Sequence, residues 1–258
     1  RIHLRWQTDT FEQLARHCQA VGRVHRPPGN QTNVEQGPLD SISIAFSPDG
    51  RRMASNANGM VKLWDVDASV ELITLHGRVT RYQRREGIAF SPDGRLVGAT
   101  IPGGTIKVWD AQTSAEVMTL RATGEHIWAL AFSPDNKRIV GASVIPRRPR
   151  GAMKIWDLSN GKEIMALPLD GFEPLSVAFS PDDKYIVSGL YVLQNRQSGD
   201  VKELGAVKVW DASSGTEVMT MTTQGGPVLS VAFSPDGKLI ASGNHIVTAK
   251  VWDAATGA

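Results

Sequence analysis

The sequence predicts an all-β protein built from five repeats, each a four-stranded antiparallel meander. Three observations carry that expectation. A Phe-Ser-Pro-Asp motif occurs five times, beginning at Phe46, Phe90, Phe132, Phe179 and Phe233. Each copy is followed by a Trp-Asp pair: Trp64-Asp65, Trp109-Asp110, Trp156-Asp157, Trp210-Asp211 and Trp252-Asp253. Eleven residues beyond each of the first four tryptophans stands an apolar residue, Leu75, Leu120, Leu167 or Met221. The Phe-to-Phe spacings are 44, 42, 47 and 54, so three marks hold a common register at the period of a repeat architecture.

Within a repeat, the stretch before Phe, such as Leu229–Phe233, alternates in character and ends at a turn, the pattern of a strand. In Ser-Pro-Asp-Gly, proline presets φ for the first corner of a type I turn, Asp suits the second, and Gly closes it. A second strand follows, as at Lys238–Ser242. The third is Val61–Trp64, repeated as Ile106–Trp109, Met153–Trp156, Val207–Trp210 and Ala249–Trp252; the fourth is typified by Glu116–Leu120. By the period of two, Lys62 and Trp64 share one face of the third strand, and Val61 and Leu63 the other. Large apolar groups on both faces require a sheet covered on both sides. The lysine stems are expected to pack while their ammonium groups reach water.

The Phe-Ser-Pro-Asp and Trp-Asp marks together resemble the WD40 repeat family, over about residues 40–258. The resemblance implies a WD40-type β-propeller of four-stranded antiparallel blades, with five recognisable repeats. The wording Lys-Val-Trp-Asp-Ala, followed by Thr or Ser and then Gly, is similar to large bacterial WD40 arrays, some of them fused to kinases or other signalling domains. WD40 blades often join a Gly-His pair, a turn Asp, a strand-two Ser or Thr and the Trp in a hydrogen-bonded tetrad. Here Ser55, Ser188 and Ser242 match the strand-two position, with Thr100 and Ser143 near it, but no Gly-His pair exists. Asn58, Gly104 and His245 occupy the turns where the Asp would stand, and His126 lies six residues before Phe132, beside the apolar strand. The tetrads are therefore expected to be incomplete.

Residues 1–39 lack the repeat marks. Ile2–Trp6 alternates like a strand, and Thr10-Phe-Glu-Gln13 has the capping-box pattern of a short helix continuing through Leu14, Ala15 and Cys18. Arg26–Asn33 has the composition of a linker. The last repeat reaches Gly257-Ala258 without a fourth strand, so residues 1–39 are the candidate closure element. The alternatives are that the chain is a piece of a larger propeller, or that it self-associates through an open blade edge. The start at Arg1 is compatible with an upstream segment having been removed.

The composition narrows function further. Hydrophobic residues make up 41% and charged residues 21%, and the formal net charge is +2. No apolar run approaches the ~18–20 residues of a membrane span. The single cysteine, Cys18, rules out an internal disulfide and a cysteine-based zinc site, and fits either redox compartment. His3, His17, His25, His76, His126 and His245 show no metal-ligand spacing; no phosphate loop and no nucleophile elbow occurs. The repeated Asp residues read as turn formers. No catalytic residue, metal ligand or cofactor is expected.

The differences between repeats are where a partner is expected. Phe-to-Trp distances of 18, 19, 24, 31 and 19 place insertions between strands two and three of the third and fourth repeats: Val144–Arg150 and about Leu190–Gly205. A third long connection, Arg78–Arg85, joins the first repeat to the second. In a meander these connections leave from one end of the blades. They carry Arg78, Arg81, Tyr82, Arg84, Arg85, Arg147, Arg148, Arg150 and Tyr191. Arginine forks capture carboxylate or phosphate, and Tyr and Arg are enriched at interface hot spots. The expectation is a non-catalytic protein–protein interaction scaffold, part of a larger bacterial signalling protein, docking an acidic segment. A nucleic-acid-binding propeller using the same basic face is the alternative, and the small net charge argues against it.

Overall fold

The chain divides into two units, Arg1–Pro38 and Leu39–Ala258. The computed structural model describes residues 43–57, 60–77, 87–122, 125–145, 150–192, 204–223, 225–244 and 248–258. The strand and helix expected before residue 39 lie outside these. The described residues form five antiparallel sheets, each paired in chain order. The first blade is β1 (Ser43–Phe46), β2 (Arg52–Ala57), β3 (Met60–Asp65) and β4 (Val70–Gly77); the second is β5 (Ile88–Phe90), β6 (Leu96–Ile101), β7 (Thr105–Asp110) and β8 (Glu116–Arg121). The third is β9 (His126–Phe132), β10 (Arg138–Val144), β11 (Arg150–Asp157) and β12 (Glu163–Asp170). The fourth is β13 (Phe172–Phe179), β14 (Tyr185–Val192), β15 (Leu204–Asp211) and β16 (Glu217–Thr223). The fifth has three strands, β17 (Val228–Phe233), β18 (Leu239–Asn244) and β19 (Ala249–Asp253).

The repeated motifs close the turns. Ser47 Oγ donates to Asp49 Oδ1 at 2.6 Å and accepts the Arg52 N–H at 2.9 Å, so one hydroxyl joins both sides of the turn. Ser91 does the same with Asp93 and Leu96, and Ser133 with Asp135 and Arg138. The next residue has positive φ, +71° at Gly50 and +72° at Gly94, but the position is occupied by Asn136 (+59°) and Asp183 (+63°) in the third and fourth blades. The Asp of each Trp-Asp pair caps the turn after strand three: Asp211 Oδ1 accepts the N–H groups of Ser213 (2.9 Å) and Ser214 (2.8 Å).

The two faces of each blade then pack by one rule. The residue before the tryptophan on strand three packs into the same core as the next blade's tryptophan. Leu63 shares a core with Trp109, Val108 with Trp156, Ile155 with Trp210, and Val209 with Trp252. Each first strand also contacts the next blade's first strand, from β1 to β17 in order. The expectation of blades covered on both sides is thus met at four junctions. Each buried aliphatic or aromatic side chain contributes roughly 1.5–3 kcal/mol against leaving it exposed, which is why the apolar pattern repeats on both faces.

The lysines of strand three differ from expectation. Lys62, Lys107 and Lys208 each place Nζ 2.6 Å from a carboxylate of strand four, Glu71, Glu116 and Glu217. The register sets Trp109 opposite Glu116 and Lys107 opposite Thr119, so the glutamate sits diagonal to the lysine within its reach. Thr74, Thr119 and Thr220 hold the same glutamates from the next turn of the pleat.

The insertions also differ. Val144 and Arg150 are the last and first residues of β10 and β11, and Leu190, Tyr191 and Val192 continue β14. Part of each insertion therefore lengthens a hairpin, because added residues that keep the ladder satisfy their backbone groups.

Candidate partner-binding face

Each meander has two ends. The Ser-Pro-Asp and Trp-Asp turns occupy one; the connections from strand two to three and from strand four to the next blade leave from the other. Hydrogen bonds between blades align the ends across the array. At the turn end, the Asp93 N–H donates to Asn136 Oδ1 at 3.2 Å, and the Asp135 N–H to Asp183 Oδ2 at 2.8 Å. Arg138 crosses from the third blade to the fourth, donating to the Ala212 carbonyl at 2.8 Å and the Asp183 carbonyl at 3.2 Å, with its guanidinium 5.4 Å from the centre of the Phe179 ring. At the opposite end, the buried Asn56 amide donates to the carbonyls of Thr100 (2.8 Å) and Gly87 (3.2 Å) in the second blade, while Thr100 Oγ1 accepts the Gly87 N–H at 2.7 Å.

Of the residues expected to bind a partner, Arg78, Arg81, Tyr82, Arg84, Arg85, Arg147 and Arg148 lie outside the described residues. Arg150 opens β11 with its backbone opposite Asp170, and Tyr191 is half-buried on β14, opposite Glu173 and Gly205. These two are strand residues at the connection end, where loop residues had been expected.

A charged cluster runs through the third blade from that end. Glu125, just before β9, accepts from Ser143 Oγ and pairs with Lys154 Nζ at 3.1 Å, and Lys154 also reaches Glu163 at 3.4 Å. Burial works against the Lys154 ammonium. The hydrogen bond and charge of Glu125, with Glu163 behind it, outweigh burial and hold its pKa above the ordinary value. His126, expected beside the strand, is the first residue of β9 and faces Val144 in the ladder. Gly104, expected in a turn, has φ +70°, and a side chain there would overlap the carbonyl oxygens of Ala122 and Glu125.

The tetrad positions sort unequally. Trp64 Nε1 donates to Ser55 Oγ at 3.0 Å and Trp252 Nε1 to Ser242 Oγ at 2.8 Å, giving half-tetrads in the first and last blades. Ser188 instead donates to the Ser176 carbonyl at 2.8 Å. Asn58 and His245 lie outside the described residues.

The turn aspartates Asp49, Asp110, Asp157, Asp182, Asp211, Asp236 and Asp253 have pKa values held below the ordinary range, chiefly by hydrogen bonds from neighbouring hydroxyl and N–H groups. Such carboxylates stay anionic and are poor proton donors near neutrality. Among the described residues no three His, Cys, Asp or Glu side chains gather as metal ligands.

Sequence reasoning missed three groups: Asn56, the pair Asn136 and Asp183, and Glu125. Asn136 and Asp183 did carry a signal, since they interrupt a glycine position shared by the other repeats. Asn56 and Glu125 carried none, because their partners are 31 or more and 18 residues away in the chain.

These features define a repeat protein of antiparallel blades, four of them four-stranded and the fifth three-stranded among the described residues. The family model "WD domain, G-beta repeat" matches residues 29–65, 114–157 and 215–247, and the chain carries WD40-type repeats that build β-propeller blades. No curated protein matches the sequence. Among solved structures, a chain of Kuenenia stuttgartiensis hydrazine synthase is similar in fold, at 22% identity and a TM-score of 0.67 over 84% of this chain. The match spans 58% of that chain, so the likeness speaks to fold alone. In all, 1567 solved chains match, and a fold so widely shared does not choose a function. WD40 repeats are in general scaffolds for protein interaction.

Proposed function

We propose that the chain is a non-catalytic scaffold that docks an acidic protein segment on the connection end of its blades, as the docking part of a larger bacterial signalling protein. The observation that carries this reading is the asymmetry between the two ends. The turn end is closed by two short turn designs, Ser-Pro-Asp and Trp-Asp, repeated from blade to blade. At the other end the hairpins β10–β11 and β14–β15 run up to eight residues per strand, against six in β2–β3 and β6–β7. Length added to these hairpins, next to arginine-rich sequence, supports reading that end as the variable recognition part of a constant scaffold. The half-buried Tyr191 and the Glu125–Lys154 pair are the described polar groups of the third and fourth blades that support this reading.

The test is direct titration with a labelled twelve-residue Asp/Glu peptide, read by fluorescence anisotropy. Replacing Arg84, Arg85, Arg147 and Arg148 together by Gln is expected to weaken binding about tenfold or more, with the melting curve unchanged. Equal binding by the neutralised protein would sink the proposal. Preferential binding of duplex DNA, with affinity falling steeply as salt rises, would shift the assignment to the nucleic-acid alternative.

A further inference from the structure

We infer that the cleft between the first and second blades, at the turn end, binds a small monocarboxylic acid, whose carboxylate takes the place that Asp183 fills two junctions along. The cleft measures about 580 Å³ and is lined by Pro48, Asp49 and Arg52 of the first blade and Asp93, Gly94 and Asp110 of the second, among others. Every residue that lines it lies within the described residues. Its size falls in the range of small-molecule sites, ~300–1,000 Å³. It lies at the opposite end of the blades from the arginine-rich connections and does not depend on them.

The other junctions show what belongs there. Two positions stand across each one: the residue that opens strand two of a blade, and the positive-φ turn residue of the next. In order they are Arg52 and Gly94, Leu96 and Asn136, Arg138 and Asp183, and Tyr185 and Gly237. Where strand two opens with Arg138, the turn supplies a carboxylate. Asp183 accepts the Asp135 N–H at 2.8 Å and lies 3.4 Å from the Arg138 guanidinium. Where it opens with the uncharged Leu96, the neutral amide of Asn136 accepts the Asp93 N–H at 3.2 Å. The first junction breaks the match. Arg52 stands across from Gly94, which has no side chain to accept from the Asp49 N–H or to neutralise a guanidinium. Among the described residues the Arg52 guanidinium makes no hydrogen bond or ion pair; at longer range its charge is felt by Asp110.

The cleft selects charge as well as size. An arginine fork receives a carboxylate, and the Asp49 N–H adds a second donor. Asp49, Asp93 and Asp110 line the same space and are anionic near neutrality, so a second negative charge on the ligand is repelled. One carboxylate among three aspartates is an arrangement the fold already holds. Asp135, Asp182 and Asp211 occupy the corresponding places at the junction that Asp183 bridges. The other glycine junction also keeps a cleft, about 450 Å³, between the fourth and fifth blades. There Tyr185 stands in the place of Arg52, so the guanidinium that would hold a carboxylate belongs to the first junction.

The probe is acetate, the side-chain fragment of aspartate, titrated into the isotope-labelled protein at fixed pH and ionic strength and read by amide NMR. A saturable shift of the Asp49 amide is expected, with sulfate and succinate binding more weakly. Arg52→Leu removes the charged donor, and Gly94→Asp supplies the carboxylate from within. Each is expected to weaken acetate binding roughly tenfold or more. Both substitutions copy residues that stand at these places in other blades, Leu96 and Asp183, so the blades are expected to stay folded. A Cβ at Gly94 would meet Pro48 Cδ at 3.3 Å, a contact that a small shift relieves. The proposal is overturned if the Asp49 amide does not respond, if its response does not saturate, or if both variants respond as the parent does. Sulfate or succinate binding as tightly as acetate would overturn it too, because the three aspartates would then not select a single negative charge.

Discussion

The carboxylate of Asp183 accepts a 2.8 Å hydrogen bond from the backbone N–H of Asp135 in the preceding blade. Asp183 holds a left-handed conformation, φ +63°, at a turn position where three of the five repeats have glycine. Asp and Asn tolerate that region better than other residues with a Cβ. The strain is offset by a bond between blades that glycine cannot make. Asn136 repeats the device one junction earlier, bonding the Asp93 N–H.

Burial and the nearby Asp135 charge raise the pKa of Asp183 above its ordinary value, opposed by the hydrogen bonds and the Arg138 charge. Asp183→Asn keeps the acceptor and removes both the repulsion from Asp135 and the ion pair with Arg138, so it is expected to stay within about 1 kcal/mol of the parent protein. Asp183→Ala loses the acceptor and keeps the strained backbone, and is expected to cost about 1–2 kcal/mol. Urea unfolding of both variants beside the parent protein checks the order; an alanine variant as stable as the asparagine variant would contradict it.

The remaining turn aspartates set the acid response. Hydrogen bonds lower the folded-state pKa of Asp49, Asp110, Asp157, Asp182, Asp211, Asp236 and Asp253; at Asp93 and Asp135 burial is the largest single influence and opposes the shift, but the hydrogen bonds together outweigh it. A lowered folded value means that the stabilisation is present above the ordinary value of 3.8 and is lost as pH falls through the folded values. Asp183 runs the other way: its raised value favours the folded state in acid and loses that advantage as pH rises from 3.8 through the folded value. These nine aspartates, joined by Glu71, Glu116 and Glu217 whose values are also lowered, outweigh Asp183, so stability is expected to drop steadily below about pH 4. Asp183→Asn should make the drop steeper. Denaturant midpoints between pH 7 and pH 3 would show it, and a midpoint independent of pH would refute it.

The lysine–glutamate pairs are not equivalent. Lys154 and Glu125 have side chains only 16% and 13% exposed, while Glu116, the partner of Lys107, is 42% exposed. Lys154→Met leaves Glu125 largely buried without its cation and is expected to cost about 3 kcal/mol. Lys107→Met removes a partly solvated pair and is expected to cost about 0.5 kcal/mol. Thermal unfolding of the two variants side by side decides this, and equal shifts would mean that burial does not set the value of these pairs.

The strand and turn order of every blade could be read from the chain because the determinants are local. Proline, aspartate and a residue at positive φ make the turn from adjacent positions, and the Trp-Asp pair caps the next turn within three residues. The apolar character of Leu63 and Trp64 on opposite faces of β3 likewise required covered sheets. What escaped the reading involves register or distance. The lysines were expected to reach water because their glutamates stand nine residues away along the chain, brought alongside only by the hairpin. Arg150 and Tyr191 were read as loop residues because an insertion looks the same in sequence whether it lengthens a hairpin or leaves it.

The sequence by itself determined the repeat, the meander and the two-faced blade, since turn chemistry and alternation act between near neighbours. Only the tertiary structure decided which polar groups bridge blades, with Asn56 reaching Gly87, Asp135 reaching Asp183 and Arg138 reaching Ala212. Those outcomes depend on which surface lies across a junction, and that is a property of the packed blades, which neighbouring residues in the chain do not encode.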